Sequence, residues 1–148
     1  MNTLTIPPVI ESQRPNSPRQ LDSSELRRLK HQIKSNTQCE ILFSKFDRGR
    51  YATDASHYQI FPLGVVIPTT QDDLRALIEI ATEFDICLTG RGGGTSQNGQ
   101  TINQSLVIDY SKYLNQLVHL DVEKRICHVE PGIVLDHLNA KLKSTGLW

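Results

Sequence analysis

The sequence predicts an α/β fold, a small parallel or mixed sheet flanked by helices, and three observations carry that prediction. Val65-Val66-Ile67 and Leu106-Val107-Ile108 are short β-branched and aliphatic runs with the length and character of buried strands. Leu74, Leu77, Ile78 and Ala81 repeat at helical spacing between the first of these runs and the next. A strand, a helix and a second strand therefore follow one another from Val65 to Thr89, and so short a connection favours parallel pairing in a right-handed unit.

Taken in order, residues 1–20 carry Pro7, Pro8, Pro15 and Pro18 among Ser, Asn, Gln and Arg, a composition that opposes both helix and strand and reads as a flexible arm. Residues 21–60 read as a helix and a loop leading into the domain. Asp22 can cap a helix with Glu25 three residues on, and Leu26, Leu29 and Ile33 continue it to about Ser35. The segment Phe46 to Ser56 is mixed in polarity without a period and reads as a loop. Residues 61–148 form the body. Pro68 stops the Val65 strand, and Thr69 or Thr70 caps the helix after it. Strands follow at Ile86–Thr89, Leu106–Asp109, Val118–Leu120 and Ile126–Glu130, the last two around a turn at 121–124. Val134 to Ser144 is helical, with Gly146 as its stop.

Composition excludes several classes. Sixteen basic residues balance sixteen acidic ones in 148, so no net positive field draws nucleic acid or an anionic membrane. No apolar run reaches the roughly 20 residues of a membrane helix, and the polar start lacks a secretory h-region, so a soluble cytoplasmic protein is expected. Cys39, Cys87 and Cys127 form no C-x-x-C pair, and the five histidines lack supporting ligands, so neither a disulfide framework nor a metal site is expected. Cys87 and Cys127 sit in aliphatic stretches and read as small hydrophobes.

The chemistry concentrates in Gly90 to Gln100, which holds five glycines in eleven residues at the carboxyl end of a predicted strand, where open α/β sheets bind ligands. Gly92, Gly93, Gly94 and Gly99 allow close approach and positive φ, so main-chain N–H groups can converge on phosphate oxygens. Thr95, Ser96 and Gln100 add neutral polar groups, and Arg91 adds charge. Two phosphate motifs are excluded. Gly94 and Gly99 fit a Walker frame, but Gln100 stands where its lysine belongs. The G-x-G-x-x-G fingerprint fails because Gly90-x-Gly92 meets Thr95, and Gly92-x-Gly94 meets Gln97, in its last place. The plain alternative is a glycine-rich surface turn with no ligand. Neutral donors with one arginine suit a pyrophosphate.

The ordered set Val65-Val66-Ile67-Pro68, Arg91-Gly92-Gly93-Gly94-Thr95-Ser96 through Gly99-Gln100, Leu106 to Asp109, and Val129-Glu130-Pro131-Gly132 resembles the FAD-binding domains of the vanillyl-alcohol oxidase and p-cresol methylhydroxylase family. The Phe46 to Tyr58 segment is similar to its D-lactate, glycolate and D-2-hydroxyglutarate dehydrogenase branch. The resemblance implies the first subdomain of an FAD domain, with Arg91 to Ser96, Gly99 and Gln100 around the FAD pyrophosphate and a 2-hydroxy acid as hydride donor to the flavin. Relatives with covalent FAD carry histidine where Thr95 stands, so non-covalent FAD is implied. It also implies a second glycine-rich segment, a cap and an iron-sulfur region not found in these 148 residues, so an incomplete chain, inactive alone or completed by a second polypeptide, is expected. A non-catalytic flavin or phosphate-ligand module is the alternative. No catalytic residue is assigned. Arg50, Tyr51 and Asp54 read first as loop anchors, Glu130-Pro131-Gly132 as a turn, and His128 as a packed or edge histidine.

Overall fold

The computed structural model describes residues 19–148. The arm assigned to residues 1–20 therefore lies, apart from Arg19 and Gln20, outside the described residues.

The first helix, α1 (Ser23–Asn36), begins where the sequence places it. Asp22 accepts from the main-chain N–H groups of Ser24 and Glu25, and the Glu25 carboxylate accepts from Asp22 N–H, so a full capping box satisfies donors that the first turn leaves free. Arg19 ties the chain in front of α1 to the rest, donating to the Phe84 carbonyl at 2.7 Å and pairing with Glu25. A three-residue strand β1 (Glu40–Leu42) and a short helix α2 (Lys45–Arg50) follow. Neither was expected from the sequence. β1 is short and only half-buried, and α2 buries no residue, so neither shows an apolar period. Ser44 caps α2 by accepting from Asp47 N–H, a local polar signal just ahead of the segment that reads as loop.

Next come β2 (Gly64–Ile67), α3 (Gln71–Glu83), β3 (Leu88–Arg91) and β4 (Leu106–Asp109). The four strands form one sheet in the order β1-β2-β4-β3. β4 pairs in parallel with both β2 and β3, and β1 adds an antiparallel edge with Ile41 opposite Val66. The expected parallel arrangement of the strands around α3 is present, with β4 inserted between them. α1 and α3 cover one face, where Leu29, Ile33, Leu77, Ile80 and Phe84 pack on Val66, Leu106 and Ile108. Val65 and Val107, which point the other way on the pleat, are also wholly buried, so the centre of the sheet is covered on both sides. Each such aliphatic side chain contributes about 1.5–3 kcal/mol on burial.

The buried stripe of α3 runs through Asp73, Leu77, Ile80 and Ala81, whereas Ile78 is exposed. The stripe expected from the sequence, which included Ile78, is thus rotated. Asp73 sits in it because its carboxylate accepts from Gln38 N–H, from the N–H and hydroxyl of Thr69, and from Thr70 N–H, joining α3 to the entry of β1.

A separate antiparallel hairpin pairs β5 (Leu117–Asp121) with β6 (Ile126–Val129), and α4 (Leu135–Leu142) closes with a single 3-10 turn stopped at Gly146, φ +73°. Among the described residues no helix is long and apolar enough to cross a membrane.

Candidate functional site

β3 runs two residues beyond its expected end, so that Gly90 and Arg91 pair with Ile108 and Asp109. The chain then leaves the sheet through bends at Gly92, Gly93 and Gly94, with Gly94 at φ +67° and Gly99 at φ +77°. Both positions need glycine for that backbone alone. Along this bend the main-chain N–H groups from Gly92 to Gln97 meet no carbonyl or side-chain acceptor among the described residues. A run of unengaged amides around a positive-φ glycine is the arrangement that receives anionic oxygens.

The polar side chains divide by task. Thr95 is exposed on the rim, its hydroxyl taken by no protein partner among the described residues. Ser96 turns into the loop. Its hydroxyl donates to the Gln100 side-chain oxygen and accepts from the N–H groups of Asn98 at 3.3 Å and Gln100 at 3.2 Å. In this arrangement Ser96 and Gln100 close the turn from 96 to 100.

Arg91 folds back under the bend. A Cβ built on Gly94 would lie 2.4 Å from its Nη2, and its guanidinium carbon sits 5.2 Å from the centre of the Tyr51 ring. Arg91 Nη1 is buried and has no hydrogen-bond partner, and none of the ion pairs among the described residues includes it. A buried guanidinium nitrogen without a partner among the described residues is costly.

The segment after α2 holds the loop from the other side. Ala55 N–H donates to the Gly94 carbonyl at 3.1 Å, and the Thr101 hydroxyl donates to Asp54 at 3.0 Å. Hydrogen bonding from Ser56, with Thr101 adding to it, keeps the Asp54 carboxyl below its ordinary range despite some desolvation. The Tyr58 ring lies where a Cβ on Gly99 would be, at 2.9 Å. Tyr51 donates its hydroxyl to Asp109 at 2.7 Å, and burial followed by that carboxylate pushes the phenol up to about 12. Asp54 is thereby an anchor, as expected, but its partner is Thr101 rather than an arginine. Arg50 reaches back to Asp47 within α2.

The remaining candidates are structural. Glu130 accepts from Gln116 N–H, and Gly132 donates to the Leu114 carbonyl at 2.8 Å. A Cβ on Gly132 would stand 2.2 Å from the Tyr110 carbonyl oxygen, so this turn is a junction of close-packed backbone. His128 is an exposed hairpin residue, edge-on to His119 at 5.8 Å. Of the thiols, Cys87 is exposed, contrary to its reading as a packed hydrophobe, because it precedes β3 instead of lying inside it. A groove of about 490 Å³ between β6 and α4, lined by Leu120, Cys127, Leu138 and Trp148, lies on residues apart from the loop, and Arg125 is the charged residue in its lining.

The sequence profile described as an FAD binding domain matches residues 62–148, more than half of the chain, and includes the whole glycine loop. The chain belongs to the FAD binding domain family. FAD is accordingly the cofactor this family fold is matched to. Over 105 residues it is 38% identical to D-2-hydroxyglutarate dehydrogenase of Pantoea ananatis, covering 69% of this chain and 10% of that protein. It is 28% identical over 110 residues to the glycolate oxidase subunit GlcD of Bacillus subtilis, covering 72% and 23%. In three dimensions it is similar to substrate-bound p-cresol methylhydroxylase, with a TM-score of 0.67 at 16% identity over 88% of this chain and 27% of that one. The family fold is thus the one that the resemblance of the ordered motifs implied. The chain spans about 10% of the length of the dehydrogenase relative that it matches.

Proposed function

We propose that the Arg91 to Gln100 loop holds the pyrophosphate of a non-covalently bound FAD, and that the whole protein oxidises a 2-hydroxy acid by passing its hydride to that flavin. The observation that carries the first part is the run of unengaged N–H groups from Gly92 to Gln97 above a buried, unpaired Arg91 nitrogen. Gly92, Gly93 and Gly94 supply the amides, Thr95 supplies a free hydroxyl at the rim, and Ser96, Gly99 and Gln100 hold the shape of the turn. The bound flavin would supply the redox chemistry, and these residues bind and orient its diphosphate bridge. Thr95 has no imidazole to bond to the flavin, which supports a dissociable cofactor.

The names of the relatives, D-2-hydroxyglutarate dehydrogenase and glycolate oxidase, support a 2-hydroxy acid as the substrate class. Their greater length supports placing the isoalloxazine and substrate contacts on further polypeptide, in the same chain or a second one. Free thiols at Cys39, Cys87 and Cys127 suit a reducing compartment, so we place the protein in the cytoplasm.

A competition series on the 148-residue chain tests the cofactor reading. FAD and ADP, which carry the diphosphate, are expected to bind more tightly than FMN, and all three weakly. Equal affinity for FMN and FAD would sink the pyrophosphate assignment.

A further inference from the structure

The glycine loop is only half of the site's machinery, because its one cation is held by a residue some forty positions earlier in the chain. Among the described residues no ion pair includes Arg91, which rests instead against the Tyr51 ring. The difference matters physically. A salt bridge would commit the guanidinium N–H groups to a carboxylate, whereas an aromatic face attracts the cation through the ring quadrupole and leaves those donors available to an incoming anion. The carboxylate nearest in the network, Asp109, is already engaged: Oδ2 accepts from Tyr51, and Oδ1 accepts from the N–H and hydroxyl of Ser111 at 2.8 and 2.7 Å. Its hydrogen bond instead fixes the tilt of the Tyr51 ring. On the opposite side Gly94, which has no side chain, lets the guanidinium lie directly beneath the bend.

We propose that Tyr51, pinned by Asp109, is a positioning residue that holds the Arg91 guanidinium under the glycine loop, outside any salt bridge among the described residues, with its donors free for a diphosphate. This rests on the FAD reading above and deepens it, since it makes the segment after α2 part of cofactor binding. Tyr51 and Asp109 need not touch the ligand themselves. The phenol is protonated throughout the neutral range as tyrosine ordinarily is, and burial followed by Asp109 raises it further to about 12, so its hydroxyl stays a donor to Asp109.

A double-mutant cycle on the 148-residue chain tests it, with inorganic pyrophosphate and FAD as separate probes and backbone amide NMR shifts of Gly92 to Gln97 as the readout. Arg91→Ala and Tyr51→Leu are each expected to weaken pyrophosphate binding roughly tenfold, the scale of one charge-assisted contact. The combined variant should bind no worse than Arg91→Ala alone, because Tyr51 acts only through the Arg91 guanidinium. Tyr51→Phe, which keeps the ring and loses only its hold on Asp109, should fall between wild type and Tyr51→Leu. Fully additive losses, or unchanged affinity in a well-dispersed Tyr51→Leu or Tyr51→Phe spectrum, would overturn the proposal while leaving the FAD reading in place. A folded wild-type chain whose loop amides respond to neither probe would remove both.

Discussion

Gly94 combines two constraints that are usually separate, a left-handed backbone and a guanidinium against its Cα. Gly94→Ala should therefore cost about 1–2 kcal/mol from the backbone alone, and more if Arg91 cannot move aside, read as a drop of several degrees in Tm. Gly132→Ala meets main-chain oxygen at 2.2 Å instead of a movable side chain, and a larger loss, about 3 kcal/mol, is expected in the same assay. Asp73 gives a pH dependence. Burial opposes its ionisation, but hydrogen bonds from Gln38, Thr69 and Thr70 outweigh it and hold its carboxyl below the ordinary range. Its stabilisation is accordingly complete above the unfolded aspartate value of about 4 and is lost as acidification passes through the lower folded value. Asp73→Asn turns an amide NH₂ toward main-chain donors; it should lower neutral-pH stability by about 2 kcal/mol and flatten the acid limb of a denaturant-midpoint series. Among the thiols, Cys87 should react first with a soluble disulfide reagent, and Cys39, pushed up to about 11 by burial, last.

At the scale of elements, α3 shows how much of the fold was legible in the sequence. Its start after Pro68 at a capping threonine and its place between parallel strands follow from the sequence, while the structure settles the choice between Thr69 and Thr70 in favour of Thr70. Which side it buries does not, since Ile78 and Ile80 are equally apolar and only the position of α1 decides between them. Leu77→Ala should cost about 2–5 kcal/mol in chemical denaturation, while Ile78→Ala should change stability by less than about 0.5 kcal/mol. Equal losses would mean that α3 is rolled about its axis. The same logic separates the two halves of the site. The loop is visible because glycine composition is a local signal. The Tyr51 to Tyr58 strap is legible only in part: Tyr51 and Asp54 read as loop anchors, but what they hold lies in contacts with Arg91, Gly94, Gly99 and Thr101 made across the fold. β1 and α2 escaped for a related reason, being too short and too polar to build a period.

Over the whole molecule, apolar burial is uneven. The centre of the sheet is covered on both faces, but the hairpin presents Val118 and Ile126, α4 presents Leu135, and the chain after it presents Trp148 to solvent, the last at 97% exposure. Concentration-dependent self-association is expected for the 148-residue chain, visible by light scattering, and the pair Ile126→Lys with Leu135→Lys should reduce it. A strictly monomeric wild-type chain at millimolar concentration would contradict this.

Strand order also sets a sequence of events. β2 and β3 leave a vacant lane that only β4 can fill, and the glycine bend belongs to the connection that delivers β4. During synthesis the nucleotide cradle cannot take shape until the chain has been made past Asp109 and its central ribbon has slotted in. Flavin supplied during refolding should thus act after the slow step, slowing unfolding of the finished domain without hastening its assembly.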